Sequence, residues 1–61
     1  MPTQQRQSQD ERDADARRFD SDAAKERAIQ NDPTRPAWQR RLAGVSAETI
    51  EMFAADRRAG N

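Results

Sequence analysis

Only eight large apolar side chains follow Met1 in this chain of 61 residues: Phe19, Ile29, Trp38, Leu42, Val45, Ile50, Met52 and Phe53. Fully buried, each contributes roughly 1.5–3 kcal/mol. Ordering the chain costs about 1.5 kcal/mol per residue. One small core is therefore the most the sequence supports, and a multi-domain fold is excluded. Alanine adds 11 apolar residues, which favour helix but bury little surface. Six of the eight large side chains lie beyond residue 32, so the core is expected in the C-terminal half.

Charge divides the chain in the same place. Eleven basic and eleven acidic groups cancel formally. Residues 1–32 carry six basic and eight acidic groups, while residues 33–61 carry five arginines against Glu48, Glu51 and Asp56. A core-poor half of charge −2 thus precedes a core-rich half of charge +2. Leu, Ile, Val and Phe number six of 61, below the roughly 20% that marks disordered chains. The high net charge that usually accompanies disorder is missing, so partial order is expected.

The missing residue types narrow the chemistry. There is no cysteine and no histidine, which removes disulfides, thiolate nucleophiles, the usual metal ligand and the usual neutral-pH acid–base group. No glycine-rich phosphate loop is present. The acidic run Asp10, Glu11, Asp13 and Asp15 lacks the glycine and loop spacing of a calcium site. No catalytic residue, metal, cofactor or small-molecule substrate is expected, and the chain reads as a non-enzyme. No apolar run approaches the length of a membrane span, and residues 1–10 lack the apolar stretch of a secretory signal. A cytoplasmic protein without membrane contact is the expectation. Arginine outnumbers lysine ten to one, a bias expected of GC-rich bacterial or phage coding.

Local signals predict an all-α fold with a disordered N-terminal arm, one long solvated helix, then a capped two-helix hairpin. Residues 1–9 are glutamine-rich and aperiodic, as in a disordered arm. Ser8 and Glu11 have capping-box spacing, and a charged helix is expected over 10–30, with Asp10, Glu11 and Asp13 at its positive end. Its apolar stripe is Ala16, Phe19 and Ala23, and fails at Glu26 and Arg27. Asp20–Ser21–Asp22 is a candidate break. Residues 31–35 form a Pro-containing linker, since Pro33 and Pro36 bias the residues before them out of helix. The hairpin is expected over 36–59. Trp38 and Leu42 share a face of its first helix, Gly44 stops that helix, and Ser46 caps the next. Val45 and Ile50 have staple spacing, Phe53 continues the face, and Gly60 ends the helix. Trp38, Leu42, Val45, Ile50 and Phe53 are its expected core, with Phe19 or Ile29 docking onto it.

Two binding readings follow. In the first, the protein is a small regulator or adaptor that binds another protein, or itself, through the apolar face of the hairpin. Trp38, Leu42, Met52 and Phe53 are its candidate contacts, because aromatic and flexible apolar side chains dominate such surfaces. The second rests on Leu42–Ile50, LAGVSAETI, which resembles the turn of helix-turn-helix DNA-binding regulators of the lactose-repressor type. The matching residues are Ala43, Gly44, Val45, Ser46, Thr49 and Ile50. The resemblance implies that Ser46 and Thr49 contact phosphates and that the following helix enters the major groove. Arg40 stands where that family usually has a small residue, and Glu48 and Glu51 oppose phosphate. Arg40, Arg41, Arg57 and Arg58 form a basic patch if the expected hairpin closes.

Overall fold

The computed structural model describes residues 8–60. Ser8 opens the first helix as its sequence predicts, with its Oγ accepting the Glu11 N–H at 3.2 Å. Helix α1 spans Gln9–Gln30. The disordered arm expected over 1–9 lies outside the described residues up to position 7, while Ser8 and Gln9 belong to the cap and the helix. Asp10 and Glu11 occupy the first turn, where carboxylates favour the helix dipole. The helix runs unbroken through Asp20–Ser21–Asp22, because Asp20 is ion-paired to Arg58 and Ala23 is packed.

Asn31 caps α1, with its N–H on the Arg27 carbonyl. Asp32 then organises the linker. Its Oδ1 accepts the Thr34 N–H at 2.9 Å and the Thr34 hydroxyl at 2.6 Å, an Asx-turn that lets the chain reverse within a few residues. Those hydrogen bonds from Thr34 hold the Asp32 carboxyl below its ordinary value. Pro36 sits at the N-cap in an extended conformation, and α2 spans Ala37–Arg58. Gly60 ends the helix in the left-handed region, at φ +86°, as a glycine after the last turn does.

The all-α class holds, and so does a helical hairpin, but its arms are α1 and α2. The two short helices predicted within 36–59 are one helix of 22 residues. Gly44 keeps a negative φ, so neither the helix stop at Gly44 nor the cap at Ser46 is formed. The reason is tertiary. Gly44 is buried against α1, where a Cβ would stand 2.6 Å from Gln30 Nε2. The absence of a side chain is used for close approach of the helices rather than for a turn.

The core is correspondingly small in side-chain size. Among the described residues, the buried ones are Ala16 and Ala23 on α1 and Ala43, Gly44, Ala47 and Ala54 on α2. Small side chains at a helix contact bring the two axes close together. On α2 the inward stripe is Arg40, Ala43, Ala47, Ile50, Ala54 and Arg57, all buried or half-buried. On α1 it is Arg12, Ala16, Phe19, Ala23, Glu26 and Gln30. The α1 stripe thus continues past Glu26, with polar side chains half-buried against α2. Both stripes alternate three- and four-residue steps, the repeat of a coiled-coil seam.

Register is set by two forked ion pairs. Arg27 donates to both Glu51 oxygens, at 2.7 and 3.1 Å, and Arg58 donates to both oxygens of Asp20. Asp20 and Arg27 lie seven residues apart on α1, as Glu51 and Arg58 do on α2. The acid precedes the base on each helix, so the antiparallel arrangement matches opposite charges at both places. Arg58 holds Asp20, and Arg27 holds Glu51, below the ordinary carboxylate values through these hydrogen bonds. Phe19 meets Phe53 across the hairpin at 5.9 Å between ring centroids, tilted by 49°, within the favourable range for aromatic pairs.

Candidate protein-interaction face

Because α2 turns its small residues inward, it turns its large ones outward. Trp38, Leu42, Val45 and Met52 are 63%, 60%, 61% and 66% exposed. Together with exposed Thr49 they follow steps of four, three, four and three residues. At 100° per residue they fall within an arc of about 80°. This outer stripe is a second coiled-coil-type seam on the same helix, nearly opposite the first.

The core expected from the sequence is therefore corrected. Trp38, Leu42 and Val45 are surface residues, Phe53 is half-exposed at 50%, and Ile50 is half-buried. The prediction of a short hairpin placed Trp38, Leu42, Ile50 and Phe53 on converging faces. In one continuous helix, Ile50 belongs to the inner stripe and Trp38 to the outer.

Of the candidate partner contacts, the structure brings Trp38, Leu42 and Met52 onto one stripe. Phe53 lies at its edge, where it touches Phe19. Val45 and Thr49 share the stripe and were assigned otherwise by sequence reasoning. Their signal was the alternating spacing, readable only when the helix is taken as unbroken. A shallow groove beside the stripe is lined by Glu26, Ile29, Trp38, Leu42, Ala43 and Ser46, so Ile29 extends the apolar surface onto α1. Arg41 and Glu48 flank the other side of the stripe, one heptad apart and exposed.

The arginine patch does not assemble. Arg40 and Arg41 stand near the start of α2 and Arg57 and Arg58 at its end, about 25 Å apart along the axis at 1.5 Å per residue. The predicted patch required a chain reversal at Gly44. Arg40 Nε instead donates to the Gln30 carbonyl at 3.4 Å, and Arg58 is committed to Asp20. Thr49 Oγ1 donates to the Val45 carbonyl at 3.1 Å. Ser46 is half-buried in the groove. Leu42–Ile50 is helical throughout, so the turn on which the helix-turn-helix resemblance rests is absent.

Among the described residues no three His, Cys, Asp or Glu side chains gather as a metal site. No described helix is long and apolar enough to cross a membrane. Comparison with family models, curated proteins and solved structures gives no match.

Proposed function

We propose that the chain is a small non-enzymatic regulator or adaptor of the cytoplasm that works by binding protein, and that the outer stripe of α2 is its binding face. One observation carries the reading: among the described residues the buried ones are all Ala or Gly, while four of the large apolar side chains line one exposed stripe. Contiguous exposed apolar patches of this kind mark interaction surfaces. Tryptophan and methionine suit the task, one as a large anchor and the other as an adaptable filler. The alternating spacing favours a helix as the docked element, since knobs of one helix fit holes of another at that repeat.

The test is site-specific photo-crosslinking in cells. A photoreactive residue at Met52 is expected to give nuclease-resistant protein adducts, and the same residue at exposed Lys25 is not. Equal labelling from both positions, or none from Met52, would refute the reading. Adducts to nucleic acid from Arg41 or Arg57 would favour the DNA-binding alternative.

A further inference from the structure

We infer that the occupant of the outer stripe is a second copy of this chain, docked antiparallel with α2 against α2 in one register. The inference rests on the protein-binding reading above and names its partner. Three features of the stripe point to it: the layers of its first four members match in size, its polar member is already satisfied, and its flanking charges select a single alignment.

In an antiparallel pair about a two-fold axis, Leu42 of one copy layers against Val45 of the other, and Trp38 against Thr49. The bulkiest residue of the stripe thus meets its smallest. Thr49 enters such a layer without an unpaired hydroxyl, because its Oγ1 already donates to the Val45 carbonyl at 3.1 Å. Burying it therefore avoids the cost of an unsatisfied polar group.

The flanks decide the register. Antiparallel helices bring like-sided flanking positions together, so this alignment sets Arg41 opposite Glu48 of the second copy, and the two-fold axis repeats the pair. A shift of one heptad in one direction sets Glu48 against Glu48. A shift in the other direction sets Arg41 against Arg41. A parallel pairing faces Arg41 with Ser46 and Glu48 with Phe53, with no charge matched. Flanking charges choose partner and orientation in coiled coils by this means. Arg41 is available for the role, since it has no ion-pair or hydrogen-bond partner among the described residues. Glu48 is exposed and feels Arg27 only through longer-range attraction.

The test is sedimentation equilibrium of the full-length chain over a range of concentrations, comparing four proteins. The wild type is expected to dimerise. Arg41→Glu and Glu48→Arg each turn two attractive pairs into two repulsive ones, and each is expected to weaken the dimer roughly tenfold at low salt. The double variant R41E/E48R restores both pairs and is expected to recover wild-type affinity. Both substituted positions are exposed, and unchanged helical circular dichroism separates weakened association from misfolding. A monomeric wild type, a higher oligomer, single variants that dimerise as well as wild type, or a double variant as weak as the singles would each overturn the inference. A monomer that still crosslinks to another protein from position 52 would overturn only the self-pairing, leaving the binding face in place. A monomer with no adduct would remove both.

Discussion

Replacing Gly44 by alanine separates a continuous helix from a helical turn, because the two predict opposite signs. In a helix interior, alanine is more favourable than glycine by about 0.8–1.0 kcal/mol. At a left-handed turn position, alanine instead costs roughly 1–2 kcal/mol. The structure adds one obstacle. A Cβ on Gly44 would lie 2.6 Å from Gln30 Nε2 and 3.1 Å from Gln30 Cδ, and the next nearest atom, at 3.6 Å, is also from Gln30. Gln30 must swing aside, which strains the hydrogen bond from Arg27 Nη1 to its Oε1 at 2.8 Å. Such a bond is worth roughly 0.5–1.5 kcal/mol net, so Gly44→Ala alone is expected to be close to neutral. Gln30→Ala removes the obstacle. On that background Gly44→Ala should express the whole helical gain, about 1 kcal/mol. For a domain of this size that raises Tm by roughly 4–8 °C. Thermal and urea melts by far-ultraviolet circular dichroism, at one fixed protein concentration, provide the measurement. A double variant less stable than Gln30→Ala would refute the continuous helix and reinstate a turn at Gly44.

Three further outcomes are expected. Ala47→Leu places three extra carbons in a seam where Ala47 is fully buried, and overpacking of about 1–3 kcal/mol should lower the urea midpoint. Ser8→Ala removes the acceptor of the Glu11 N–H; a loss of about 1 kcal/mol should appear in melts, with faster amide exchange confined to the first turn of α1. Asp20 and Glu51 have folded-state pKa values below their ordinary 3.8 and 4.5, so their ion pairs contribute above those values and are lost as pH falls through the lowered ones. Acid titration of wild type against Asp20→Asn/Glu51→Gln should therefore show the two stabilities converging at low pH, more weakly in high salt.

What the sequence revealed and what it hid differ in physical kind. The Ser8 cap, the linker after Gln30, and the stop at Gly60 are local events. Each depends on one side chain and the few backbone groups beside it, and each forms where the residues predict. Gly44–Val45–Ser46 is different. Its residues suit a turn between helices, and they also suit a helix interior whose glycine faces a neighbour. The choice is made by Gln30 on α1, which packs against Gly44 from outside the segment. The same gap explains the misplaced core. Ranking residues by size puts Trp38 and Leu42 inside, which holds when enough elements exist to cover them. With only two helices, the contact belongs to the residues that allow the closest approach, Ala43, Gly44 and Ala47. Of the exposed stripe proposed as a binding face, Trp38, Leu42 and Met52 are legible in the sequence, while Val45 and Thr49 emerge only once the helix is continuous.

The two stripes of α2 divide the work between them. An alanine seam costs little side-chain entropy to order, but it also buries little area, so it sets how closely the helices approach more than it stabilises them. Forked pairs between Asp20 and Arg58 and between Arg27 and Glu51 add specificity at exposed positions where ion pairs are weak. The apolar surface able to contribute most to stability is left on the outside, at Trp38, Leu42, Val45 and Met52. Folding of this chain should therefore be strengthened by whatever covers that stripe, with mass action linking the two. A partner that buries it acts on the hairpin's stability and on its own binding at once. The neutral charge total belongs to the same design. Opposite charges form the pairs that align α1 with α2, Asp20 with Arg58 and Arg27 with Glu51, while Arg41 and Glu48 stay exposed beside the outer stripe.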